Sequence, residues 1–143
     1  MKFNFYKSIS TCFGVGYISP LPGTLTSFLT VIIIWTIQTH LSLEVTILFI
    51  LFATVIGYIS VEKNRDKASD PKEIVIDEFI GQSLVLVFLP LTYQDYILGF
   101  ILFRIFDIYK PMPINYFEKK YPNAFGIIFD DIIAAGYALL AIY

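Results

Sequence analysis

At 143 residues the chain has the length of one domain, and with 57% hydrophobic and only 15% charged residues it falls outside ordinary soluble domains, which average about 25% charged. A mean hydropathy of +0.71 makes membrane insertion the first expectation, and a formal net charge of -2 gives no support to nucleic-acid binding. A single cysteine, Cys12, excludes an internal disulfide; with one histidine, His40, any metal must be held by oxygen, which favours Mg²⁺, Mn²⁺ or Ca²⁺.

The N-terminal stretch MKFNFYKSIS lacks the continuous apolar core of a signal peptide. It reads as a short interfacial segment, with Phe3, Phe5, Tyr6 and Ile9 toward lipid and Lys2 and Lys7 toward headgroups. Residues 12–24 are rich in Gly and Pro and predict an ordered loop. That loop leads into a helix N-terminus near Thr24 or Leu25, a competent place for an anion. Thr24 and Ser27 are candidate substrate contacts there, although Ser19, Thr24, Thr26 and Ser27 also suit plain capping.

Five apolar runs follow, at 25–39, 42–60, 74–91, 96–109 and 124–143. A turn at His40, a polar loop over 61–73, a turn at Pro90 to Asp95 and a loop over 111–123 separate them. Lys110, Pro111 and Pro113 stop the fourth run, because proline cannot continue a helix. The pattern predicts one domain over 1–143, an all-α, multi-helical integral membrane protein of about five helices. The third and fourth helices are short or partly penetrating, the third run spanning about 27 Å at helical rise.

On this scheme all 10 Lys and Arg residues fall on one side of the membrane. Lys2 and Lys7 precede the first helix; Lys63, Arg65, Lys67 and Lys72 lie between the second and third. Arg104, Lys110, Lys119 and Lys120 lie at the end of the fourth or before the fifth. The positive-inside rule makes that side cytoplasmic and the chain a multi-pass membrane protein.

The same scheme gathers the charges embedded in the apolar runs. Asp77 and Glu78 lie about one turn into the third helix, Arg104 and Asp107 in the last turns of the fourth, and Asp130 and Asp131 six or seven residues into the fifth. An ionised side chain near a bilayer centre costs about 2.5–3.5 kcal/mol on insertion scales, so three such groups at one depth imply a use for them. Arg104, Asp107 and Lys110 are spaced i, i+3, i+6, which places Asp107 beside both cations. Helix-stabilising ion pairs would account for that triad equally well. The Asp130–Asp131 pair has no cation near it in sequence, and a divalent ion or an inserted partner is its natural counter-charge. Gly81, Gly126, Ala134, Ala135 and Gly136 would let helices approach around it.

Three segments together resemble the phosphatidylglycerophosphatase A family. They are GVGYISPLPGTLTS (14–27), EIVIDEFIGQ (73–82), and FRIFDIYKPMPI (103–114) continuing to FGIIFDDIIAAGYA (125–138). The chain differs from the usual motifs at Leu21, Thr26, Ile128 and Ala135, none of which removes a charge. The resemblance implies a bacterial enzyme, a phosphoric monoester hydrolase acting at the cytoplasmic face of the membrane. It would release the terminal phosphate of phosphatidylglycerophosphate to give phosphatidylglycerol. It implies Mg²⁺ as cofactor; on chemical grounds its ligands would come from the pool Asp77, Glu78, Asp107, Asp130 and Asp131, one of which could instead act as general base, and Arg104 and Lys110 would meet the phosphate. Three rivals stand beside it: an enzyme of this fold acting on another lipid phosphate, a non-catalytic ion or metabolite carrier, and a structural subunit whose charges pair with a partner's.

Overall fold

The computed structural model describes residues 4–64 and 71–143. Lys2, Phe3, Arg65 and Lys67, on which parts of the interfacial and charge expectations rest, lie outside the described residues. Among the described residues the chain is all-α, as expected, but divided into seven helices and one 3-10 turn (Val15–Tyr17) rather than about five helices. They are α1 (Phe5–Ser10), α2 (Pro22–His40), α3 (Leu43–Asn64), α4 (Ile76–Val87), α5 (Tyr93–Tyr109), α6 (Ile114–Lys120) and α7 (Ala124–Ile142).

Three of them, α2, α3 and α7, are long and apolar enough to cross a membrane. Their outward faces stay uncovered: Leu48, Leu51, Phe52 and Val55 on α3 are each more than half exposed. Such a surface suits contact with hydrocarbon. Hydroxyls inside these helices turn back on their own backbone, as where Thr30 donates to the Thr26 carbonyl at 2.7 Å and Thr54 to that of Ile50 at 2.8 Å.

α4 is shorter than its apolar run at both ends. Residues 71–75 instead run against the N-terminal segment, where the Val75 N–H donates to the Ser10 carbonyl at 2.9 Å. Pro90 bars continuation at the other end. Asp77 and Glu78 consequently sit in the first turn of α4. The 111–123 stretch, expected to be a loop, contains α6; proline bars a helix interior, but Pro113 sits at the N-cap, where it is tolerated.

α4 is the hub of the bundle, packed against α2, α3, α5 and α7. Ile76 and Ile80 join Val61, Ile127 and Ile128 in one core, while Val85, Leu89 and Phe103 join Ala134, Ala135 and Ala138 in another. Gly81 lets α4 and α7 close: a Cβ there would lie 2.7 Å from the Phe103 ring and 3.0 Å from the Asp131 carbonyl oxygen. Gly136, by contrast, faces open space. Far from the charges, Trp35 stacks on Tyr93 at 4.6 Å, and the Tyr96 hydroxyl donates to Gln38 at 2.7 Å. Aromatic residues with a polar edge suit a membrane–water boundary.

Candidate metal and phosphate site

The starts of α2, α4 and α7 and the end of α5 meet at one pole of the bundle around a cavity of about 560 Å³. Pro20 to Thr24, Asp77, Glu78, Arg104, Asp107, Lys110, Asp130 and Asp131 all line it. Eight of the nine residues expected at the site, Ser27 being the ninth, are thus brought together. Ser27 sits one turn further into α2, fully buried, its hydroxyl without a partner. It is not among the lining residues.

The five acids divide into two groups. Asp77, Glu78 and Asp131 each offer a carboxylate oxygen to one cluster, the atoms all within 4.8 Å of one another. One oxygen on each (Asp77 Oδ1, Glu78 Oε2, Asp131 Oδ2) is buried with no hydrogen-bond partner. Buried, unpaired, converging carboxylate oxygens are an unfavourable arrangement unless a cation joins them. The donor set fits a hard divalent ion of the Mg²⁺ type.

Asp107 and Asp130 are instead held by cations. Arg104 pairs with Asp107 across one turn of α5, as the spacing predicts. The second half of that prediction does not hold: Lys110 leaves Asp107 aside. It caps α5 in the left-handed region (φ 47°) and swings toward α6 and α7. There its Nζ reaches Glu118 Oε1 at 2.7 Å and Asp130 Oδ2 at 2.9 Å. So the Asp130–Asp131 pair does have a cation, supplied from twenty residues away. Burial by itself would lower the Lys110 ammonium; the Asp130 and Glu118 carboxylates outweigh it and hold the ammonium above its ordinary value, hence charged.

Sequence reasoning missed Glu118, because it lies in the stretch read as a loop. No spacing marks it in the sequence: Lys119 and Lys120 follow it directly and lie off its helical face, and its partner Lys110 lies eight residues back. The α2 entrance completes the site. The first intrahelical bond of α2 runs from Leu25 N–H to the Leu21 carbonyl at 3.1 Å, so the N–H groups of Gly23 and Thr24 precede the ladder. Gly23 is pressed against the Glu78 carboxylate, and a Cβ on it would lie 3.2 Å from Arg104 Nη2. Only glycine lets α2 begin this close to both.

Comparison with known proteins agrees with this constellation. The family model described as phosphatidylglycerophosphatase A matches residues 8–143. The chain belongs to the phosphatidylglycerophosphatase A family. It is 38% identical to the phosphatidylglycerophosphatase A of Haemophilus influenzae over 92% of its length and 82% of that protein. To the Escherichia coli phosphatidylglycerophosphatase A it is 35% identical, over 92% of this chain and 77% of the other. A protein of Bacteroides thetaiotaomicron named putative phosphatidylinositol-3-phosphatase is 30% identical over 94% of this chain and 89% of its own length. No solved structure matched. Membership makes the chain a phosphoric monoester hydrolase, a phosphatidylglycerophosphatase-type enzyme carried on membrane-compatible helices.

Proposed function

We propose that the enzyme hydrolyses the terminal phosphomonoester of phosphatidylglycerophosphate, yielding phosphatidylglycerol and phosphate. On this reading it acts at the cytoplasmic face of a bacterial inner membrane that it crosses more than once. The observation that carries the reading is the pairing, in one cavity, of a three-carboxylate cluster with two fixed cations and a helix N-terminus. The first suits a divalent ion; the second and third suit a phosphate.

Asp77, Glu78 and Asp131 would hold Mg²⁺, which when bound supplies Lewis-acid stabilisation of charge on the phosphoryl oxygens. Arg104, its guanidinium oriented by Asp107, offers a bidentate contact to the phosphate. Lys110, steadied between Glu118 and Asp130, offers a point charge on the other side. Gly23 and Thr24, at the positive end of α2, line the same cavity and would offer it their N–H groups. A hard cation uses only a few carboxylates, so one of the five acids would be left to take the proton of an attacking water.

The test is phosphate release by the purified protein from phosphatidylglycerophosphate in mixed micelles, with Mg²⁺ and with chelator. Release only with Mg²⁺ is expected; flux of an ion across liposomes without any phosphate release would establish the carrier reading instead. The Bacteroides relative favours one second reading, a different phosphatidyl phosphomonoester at the same site. Including phosphatidylinositol 3-phosphate in the assay decides between them by kcat/KM.

A further inference from the structure

Beside the polar cavity lies a second one, of about 340 Å³, whose walls are apolar except for Thr26. The N-terminal segment contributes Ile9, Cys12, Phe13 and Val15; α3 contributes Phe49, Phe52, Ala53 and Ile56. The remaining walls belong to the two helices that also build the charged site. On α4, Ile76 and Phe79 face this cavity while Asp77 and Glu78, between them in sequence, face the other. At about 100° per residue, i and i+3 share one side of a helix and the two intervening residues take the other. α2 divides the same way: Gly23 and Thr24 line the polar cavity, and Thr26, Leu29 and Ile33 line the apolar one. The two cavities therefore share one partition, formed by opposite faces of α2 and α4.

Two further observations give the apolar cavity the character of a binding groove. Its lip is formed by exposed residues of the membrane-compatible helices, Phe52 at 64% and Ile33 at 40%, so it opens sideways toward hydrocarbon. Its inner wall is held by a strained turn. Cys12 (φ 49°) and Phe13 (φ 58°) both occupy the left-handed region ahead of Gly14. Non-glycine residues in that conformation cost about 1–3 kcal/mol each and collect at ligand clamps.

We infer that this groove holds an acyl chain of the lipid whose phosphate enters the charged cavity. The inference rests on the lipid-phosphatase reading above and adds to it a tail subsite on a named set of residues. An amphiphile with a phosphomonoester head and a hydrocarbon tail is the one ligand class that needs both cavities across one partition. A groove for bulk lipid would have no reason to share that partition with the acids.

The test uses two arms on the full-length protein. In the first, Ala53→Phe fills the groove from α3, away from every charged residue of the site. The ratio of kcat/KM for the dioleoyl over the dihexanoyl form of phosphatidylglycerophosphate should fall at least ten-fold; a ratio within two-fold of wild type would overturn the inference. In the second, a phosphomonoester lipid with a diazirine near its chain terminus is photolysed with the unmodified protein, and the adduct is mapped by mass spectrometry. Labelling should fall on the α3 segment 49–56 or the α2 segment 26–33, and unlabelled dioleoyl phosphatidate should compete while dioleoyl phosphatidylcholine does not. Labelling elsewhere, or equal competition by phosphatidylcholine, would overturn it in favour of the lipid-facing surface or of bulk lipid. The second arm does not depend on turnover. Absence of phosphate release from any lipid would sink the activity reading alone, leaving the groove to be decided by the adduct.

Discussion

Replacing Asp131 by Asn should make the metal-free protein more stable and the enzyme inactive. The carboxylate oxygens of Asp77, Glu78 and Asp131 lie within 4.8 Å of one another. At an effective dielectric of 20, two unit charges at that distance repel by about 3.5 kcal/mol. The Asn side chain keeps the shape and removes two of the three repulsions. Water and local relaxation already relieve part of them, so a gain of about 1–3 kcal/mol is expected, or roughly 3–10 °C in Tm for a chain of this size. Divalent cation should reverse the order. At a concentration about 100-fold above Kd, binding stabilises wild type by about 2.7 kcal/mol, whereas the Asn variant, short of one ligand, should gain far less. The assay is thermal unfolding in detergent, read by intrinsic fluorescence with chelator and with a Mg²⁺ titration, beside phosphate release. An Asn variant that melts below wild type in chelator, or shows the same Mg²⁺ shift as wild type, would refute the assignment of these three acids to a metal.

Lys110→Met strips Asp130, whose side chain is 5% exposed, of its cation and should destabilise by about 2–4 kcal/mol, less than a fully buried pair because Lys110 is itself 25% exposed. Adding Asp130→Asn should restore about half of that in a double-mutant cycle of unfolding free energies; strict additivity would contradict the pairing. Gly23→Val drives a branched side chain into the Glu78 carboxylate and toward Arg104. It should lower kcat/KM by about 100-fold through misplacement of catalytic groups while shifting Tm by only a few degrees, measured on the same preparation.

Much of the site was legible in the sequence because membrane chemistry makes a charge in an apolar run conspicuous. Topology then gave those charges a shared pole, and the cavity contains Asp77, Glu78, Arg104, Asp107, Lys110, Asp130 and Asp131 together. Pairing was not legible. Helical spacing offered Asp107 to Lys110, but the backbone of Lys110 turns left-handed and sends its ammonium to a helix twenty residues on. α6 escaped notice because Pro111 and Pro113 read as a break, and Glu118 escaped with it. The shortening of α4 had a similar cause: the turn before it is fixed by a bond from Val75 to Ser10, a contact between distant parts of the chain that no local pattern encodes. Ser27 was grouped with Thr24 by proximity in sequence, although one helical turn separates a wall residue from a buried one.

Six carboxylates and three basic side chains line the charged cavity. Fully ionised, that wall repels a phosphate dianion before any contact can form, and the low dielectric around it strengthens the repulsion. On the proposed reading, a divalent cation held by Asp77, Glu78 and Asp131 would have to offset that charge for a phosphate to bind. The expected kinetics are ordered, with inorganic phosphate inhibiting only when divalent cation is already present. A bundle that crowds buried acids around this cavity would thereby keep anionic headgroups of the surrounding bilayer out of the site until a cation is bound.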